Sequence, residues 1–198
     1  MDLITELKNP LTKKYNALKS VVFDVHFPWY WNSTSTRDLG SGLLPYQNDN
    51  IVGDFLNQYA NVPFYSHCFL SRPKMEDGCK IYPDTNSTST ELAADVVREI
   101  LEFNNIEIAT LLRMNVNAVR PSEGPQTTWP HVDHPFPHHN MLIYLSDAGG
   151  RTIVGPNDEE SFYPDEDDVI IFPGVTHHME LPKQKRRVIM IITYIPIQ

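Results

Sequence analysis

The run VIIFPGVTHHMELPKQKRRVIMIITYI, from Val169 to Ile195, decides how this chain is read. It opens on Val169-Ile-Ile-Phe172 and closes on Val188-Ile-Met-Ile-Ile-Thr-Tyr-Ile195, almost all β-branched or aromatic. Such side chains are stiff at χ1 and pack well on a pleated surface, so both ends predict strands. Between them lie the turn signal Pro173-Gly174, the pair His177 and His178, and a basic run from Lys183 to Arg187. The closing strand is apolar at both parities and is expected to be covered on both faces.

The same pattern continues outward. Ile106–Arg113, Met141–Leu145 and Thr152–Val154 read as strands, with Gly149-Gly150 as a turn between two of them. Segments around His131 and His178 bring the total to roughly seven or eight strands in about ninety residues, the density of a sandwich or jelly roll. The first ninety positions, rich in Ser, Thr, Asn and Gly, are expected to be loop-rich. Two helices are expected there. One uses the spacing of Ile51, Val52, Phe55, Leu56 and Tyr59. The other runs from Glu91 to Phe103, with Thr88 and Glu91 as a capping box and Leu92, Val96, Val97, Ile100 and Leu101 as its apolar stripe. This longer helix is the natural cover for the last strand. The chain is read as one domain, 1–198, with a support region over 1–105 and a β core over 106–198. The acidic stretch Asp158–Asp168 reads as a solvated loop.

Composition excludes several functions. The chain has 198 residues, 41% hydrophobic and 21% charged, which suits a packed soluble domain. A net charge of −9 disfavours a non-specific grip on nucleic acid. No apolar run reaches the length of a membrane span, and the first residues lack the apolar core of a secretory signal. Cys68 and Cys79 are too few to staple the domain and read as free thiols, so a cytoplasmic location is expected.

His131-Val132-Asp133 is the chemically informative triplet. On a strand, positions i and i+2 share a face, so an imidazole and a carboxylate would converge while Val132 turns away. A further histidine from another strand would complete a two-histidine, one-carboxylate facial triad, which leaves adjacent coordination positions open. His177 and His178 are the candidates.

The ordered set of segments from about Leu112 to Ile195 resembles the 2-oxoglutarate- and Fe(II)-dependent oxygenases, in particular the prolyl 4-hydroxylase-like branch. The resemblance is carried by His131-Val-Asp133, Ile143-Tyr-Leu-Ser-Asp147, Gly149-Gly-Arg-Thr152, Val169-Ile-Ile-Phe172, His178-Met-Glu-Leu-Pro182 and Arg187. It implies a double-stranded β-helix (jelly-roll, cupin-like) core, mainly β with flanking helices. It also implies Fe(II) on His131, Asp133 and His178, the last chosen by the family's spacing to proline. Tyr144 and Thr152 would contact 2-oxoglutarate, the cosubstrate. The far carboxylate of that diacid must meet a cation if it is buried, and Arg186 or Arg187 could serve; parity does not decide, and the family spacing favours Arg187. The implied reaction is hydroxylation of a small-molecule, amino-acid or peptidyl substrate with O2, yielding succinate and carbon dioxide. Rival readings are a cupin-like metalloenzyme without a keto acid and a non-catalytic jelly-roll binding module.

Two features stand beside this reading. His134, His138 and His139 are expected on a loop at the barrel mouth. The aromatic run His26-Phe-Pro-Trp-Tyr-Trp31 either walls the substrate pocket or plugs the N-terminal half onto the barrel. Substrate identity and oligomeric state are not written in the sequence.

Overall fold

In the computed structural model, described over residues 2–33, 59–60, 62–76, 79–81, 84–123, 127–147 and 149–197, the β-branched closing run forms the centre of the molecule. The strands, in chain order, are β1 (Thr5–Leu7), β2 (Tyr30–Asn32), β3 (Tyr59–Ala60), β4 (Phe64–Leu70), β5 (Lys74–Glu76), β6 (Cys79–Ile81) and β7 (Ile108–Val119). They continue with β8 (Thr127–Thr128), β9 (His139–Tyr144), β10 (Thr152–Val154), β11 (Glu160–Phe162), β12 (Val169–Pro173), β13 (His177–Met179) and β14 (Arg187–Pro196). Helix α1 is Lys13–Phe23 and helix α2 is Thr90–Phe103.

The major sheet has the order β1-β12-β9-β14-β7-β4-β2, and each of its pairings is antiparallel. A smaller sheet, β11-β10-β13, lies against it. Alternation along β14 assigns each parity to its own core. Val188, Met190, Ile192 and Tyr194 pack with Ala93, Val96, Val97, Ile100 and Leu101 of α2 and with Tyr15, Leu18 and Val22 of α1. Ile189 and Ile191 join Leu142, Tyr144, Val154, Ile170 and Phe172, which bridge the two sheets. The expected double cover is therefore found: helices on one face of β14, the second sheet on the other. The architecture is mainly β, a jelly-roll core with flanking helices.

Three details differ from expectation. The region before residue 105 supplies β1, β2 and β4 to the major sheet, so it extends the β core as well as supporting it. Helix α2 begins at Thr90, and its N-cap Ser89 makes no side-chain capping bond, so the Thr88–Glu91 capping box does not form. Instead Thr90 Oγ1 donates to the carbonyl oxygens of Phe69 and Ser87, both at 2.7 Å, tying the helix start to β4. The acidic stretch is no free loop either. Glu160 Oε2 accepts from the backbone N–H of Leu3 at 2.6 Å and Ile4 at 2.9 Å, while Asp167 accepts from the Tyr15 hydroxyl and pairs with Lys19. These acids clip the N-terminal segment to the barrel. The helical spacing at Ile51, Val52, Phe55 and Leu56 lies outside the described residues, and Tyr59 belongs to β3.

Candidate metal and cosubstrate site

His131, Asp133 and His177 place one ligand atom each within 4.8 Å of one another. The triplet reaches this geometry without a regular strand. His131 makes an isolated antiparallel bridge to His177, with backbone hydrogen bonds of 3.0 and 2.9 Å in the two directions, and the chain then bends at Asp133. The bridge carries His131 and His177 as facing neighbours, their rings 4.5 Å apart.

The expected choice between the two distal histidines is overturned. In β13, His177 stands opposite Val154 and His178 opposite Ile153 on β10. Directly paired residues share a face, and Val154 belongs to the interior core, so His177 points inward. His178 points the other way, where its Nδ1 lies 3.8 Å from Asp158. The proline spacing selected the wrong parity, since a shift of one residue reverses a strand's side chains.

Both inward histidines are set by backbone. Nδ1 of His131 faces the Trp129 carbonyl at 3.2 Å, and Nδ1 of His177 faces that of Val175 at 3.0 Å. A carbonyl can only accept, so each Nδ1 carries a proton, which leaves Nε2 as the atom turned toward the cluster. Burial, reinforced by neighbouring His177, pushes the His131 imidazole down to about 4, so it stays neutral at physiological pH. Burial alone would push Asp133 up. The His177 hydrogen bond and the positive charge around it prevail and hold its carboxyl well below the usual carboxylate range.

Two residues the sequence reading missed hold that carboxylate. Arg72 Nη2 and Arg113 Nη1 both donate to Asp133 Oδ1, at 2.7 and 2.8 Å, leaving Oδ2 toward His177 Nε2 at 3.4 Å. Arg113 stands on β7 far from the triplet in sequence, and no local motif marks it. Its parity among the polar residues Arg113, Asn115 and Asn117, opposite the apolar Met114, Val116 and Ala118, was the available signal.

The second half of the site surrounds Arg187, which is 2% exposed, while Arg186 is exposed. Its parity places it with Ile189 and Ile191 in the barrel. Nη1 donates to the Gly150 carbonyl at 2.5 Å and Nη2 to Thr152 Oγ1 at 2.8 Å, and the Tyr144 hydroxyl shares Thr152 Oγ1 at 2.8 Å. The guanidinium also lies 5.2 Å from the Tyr144 ring centre. Burial raises the Tyr144 phenol and lowers the Arg187 guanidinium. Gly150 makes room for this contact. Its φ is +84°, and a Cβ there would stand 2.5 Å from the Glu180 carbonyl oxygen and 3.4 Å from Arg187 Nη1.

Arg187 Nε has no partner, and no carboxylate ion-pairs with this guanidinium among the described residues. A buried cation without an anion is costly and marks a place for a ligand's carboxylate. Asn140, fully buried on the same face of β9 as Leu142 and Tyr144, likewise has both amide atoms without partners. Thr152 meets Arg187 and Val154 faces His177, so the anchor and the metal cluster are offset by two positions of β10, roughly 7 Å along a strand. That offset suits a short diacid chelating at one end and ion-paired at the other. The donor set therefore fits both Fe(II) and 2-oxoglutarate.

The remaining expectations divide. His134 and His138 are buried rather than exposed at a mouth: His134 Nε2 meets Thr193 Oγ1 at 2.8 Å, and His138 Nδ1 donates to the Phe136 carbonyl at 2.8 Å. Burial and the neighbouring His138 push His134 down to about 4. His139 opens β9 against Tyr194. In the aromatic run, Phe27 is buried in the helix-side core with Trp29 packed against it, while Tyr30 and Trp31 are exposed. The first half of the run is a plug.

No protein-family model matches the chain, and no curated protein matches its sequence. Solved structures do match, in fold. An oxidoreductase of the 2OG-Fe(II) oxygenase family from Burkholderia pseudomallei superposes with a TM-score of 0.68 at 13% identity, covering 98% of this chain and 85% of that one. A prolyl hydroxylase from Trichoplax adhaerens, in complex with a hypoxia inducible factor peptide fragment, gives 0.55 at 15% identity over 99% and 84%. The non-heme alpha ketoglutarate dependent epimerase SnoN gives 0.53 at 12% identity over 98% and 78%. The fold is thus the one used by 2-oxoglutarate- and Fe(II)-dependent oxygenases, a prolyl hydroxylase among them.

Proposed function

We propose that this chain is an Fe(II)- and 2-oxoglutarate-dependent dioxygenase that hydroxylates a C–H bond of a small-molecule, amino-acid or peptidyl substrate. The observation that carries the reading is Arg187, a buried guanidinium that ion-pairs with no carboxylate among the described residues; its partner Thr152 stands two strand positions from Val154, which pairs with His177 of the His-Asp-His cluster. A cupin-like metalloenzyme without a keto acid would have no use for that cation, and a binding module no use for the cluster.

His131, Asp133 and His177 would hold Fe(II), and Arg187, with Thr152 and Tyr144 beside it, would hold the far carboxylate of 2-oxoglutarate. When bound, this pair supplies oxygen activation coupled to decarboxylation of the keto acid to succinate. The chain supplies position and dryness. The backbone carbonyls of Trp129 and Val175 fix the imidazole tautomers, Arg72 and Arg113 fix Asp133, and Leu142, Ile170 and Ile189 exclude water around the diacid. A cytoplasmic setting belongs to the same reading, with Cys68 a free thiol. Among the described residues, no helix is long and apolar enough to cross a membrane.

The test is anaerobic addition of Fe(II) and then 2-oxoglutarate. A visible metal-to-ligand charge-transfer band is expected only when both are present. Its absence, with iron shown to be bound, would refute the cosubstrate assignment.

A further inference from the structure

Beside the metal cluster, on the same concave face of the major sheet, lies a cleft of about 240 Å³ that the oxygenase reading does not use. Its floor is built by alternation on β7. Arg113, Asn115 and Asn117 stand opposite Thr193, Ile191 and Ile189 of β14, the parity that faces the barrel interior. Ser66 and Cys68 of β4, Asn32 of β2 and Arg72 complete the polar lining.

Its charge does not balance. Two guanidiniums, Arg72 and Arg113, share one oxygen of one carboxylate, and neither has a second acidic partner in an ion pair among the described residues. One positive charge is left over before any metal adds more. Arg113 is largely buried, whereas Arg72 is about half exposed, so the surplus charge faces the open side of the cleft. Each guanidinium has five N–H donors in a planar fork, and Asp133 takes one from each. An acceptor is waiting too. Asn115 is 4% exposed; its Nδ2 donates to Asn117 Oδ1 at 2.6 Å, while its own Oδ1 is buried without a partner. Buried acceptors are nearly always satisfied, so Asn115 Oδ1 offers a ready acceptor to a ligand N–H or O–H. The cleft opens to solvent, and its volume is on the scale of a small metabolite.

We propose that this cleft is the substrate subsite and that it takes a small carboxylic acid carrying a hydrogen-bond donor, of the size and chemistry of a free amino acid. The inference rests on the oxygenase reading and names its substrate class. Arg113 and Arg72 meet the carboxylate, Asn115 Oδ1 accepts from the donor, and the bound molecule lies on the Oδ1 side of Asp133, where both guanidiniums stand.

The experiment is calorimetric titration of the anaerobic protein, loaded with Fe(II) and saturating 2-oxoglutarate, with free L-amino acids and with their carboxamides. The charge-transfer band is recorded first. At least one acid should bind, and its carboxamide should bind about ten- to a hundredfold more weakly, the loss expected for a charge-assisted pair. Asn115→Leu should weaken the acid by about tenfold or more. Carboxamides binding as well as the acids would overturn the proposal. So would a band without binding of any acid, or binding only of a peptide blocked at its C-terminus. Acids that bind in a protein lacking the band would keep the anion subsite and remove the oxygenase reading.

Discussion

Arg113 Nη1 stands 2.8 Å from Asp133 Oδ1, an oxygen it shares with Arg72, and the geometry thereby dedicates Oδ2 to the histidine pair. A carboxylate can swing about its last torsion and exchange its oxygens. Two cations on one oxygen remove that freedom, at the expense of placing positive charge near a cation site. Hydrogen bonds to a ligand's second atom typically matter by 10–100-fold in metal affinity.

Arg113→Met is therefore expected to weaken Mn(II) or Fe(II) binding by about 10–100-fold. The fold should survive, because Arg72 still pairs Asp133 and no uncompensated buried carboxylate remains. Metal titration followed by Mn(II) electron paramagnetic resonance measures this. Unchanged affinity would show that Arg113 does not position the ligand.

His177→Ala and His178→Ala should behave oppositely despite being adjacent. His177 faces Val154 in the interior and lies 3.4 Å from Asp133, so its loss should abolish stoichiometric metal binding. His178 is buried on the other face of the strand, toward Asp158, and its loss should leave metal affinity within a few-fold. Parallel metal analysis of the two variants decides, and a metal-free His178→Ala protein would reverse the assignment.

Much of this site was legible in the sequence, and the reasons are physical. The five β-branched runs became strands because their composition admits little else, and Arg187, chosen over Arg186 by family spacing, is the buried one of that pair. His177 was weighed but passed over for His178, because strand parity can be counted only from an observed register, and proline spacing is no substitute for one. Arg72 and Arg113 were invisible for a different cause. They reach Asp133 from strand β7 and the end of β4, and such non-local pairing leaves no trace in either segment alone. Strand β4 itself was overlooked because its concave face is polar, Ser66 and Cys68, where an interior strand was expected to be apolar.

Arg187→Met should separate stability from cosubstrate binding. The guanidinium gains two hydrogen bonds but carries the desolvation cost of a buried charge without a carboxylate. An apolar side chain of similar length gives up both, so the protein without ligands should change by no more than about 1 kcal/mol in denaturant unfolding. Binding of 2-oxoglutarate should fall by at least about tenfold, since a charge-assisted pair is worth roughly 1.5–3 kcal/mol. Equal affinity in the variant would remove Arg187 from the cosubstrate site. A large loss of stability would mean that its hydrogen bonds outweigh the buried charge.

Tyr194 sets the alkaline limit of the fold. Its ring is 1% exposed in the core between β14 and the helices, and burial pushes its phenol up to about 12 from an ordinary 10. Tyr15, led by burial and then by its bond to Asp167, and Tyr144, by burial, are raised as well. In each case the unfolded chain loses its proton first. The stabilisation is fully present below pH 10 and is lost as pH rises from there through the folded value, because the unfolded state then binds fewer protons. For Tyr194 the loss approaches roughly 3 kcal/mol above pH 12, two pH units at about 1.4 kcal/mol each. Unfolding should therefore set in above pH 10, with tyrosinate absorbance and loss of far-ultraviolet dichroism rising together. Tyr194→Phe should move that midpoint upward. Tyrosinate forming in a step well before the dichroism changes would show that these phenols titrate in the intact fold, and that their burial does not govern its stability in base.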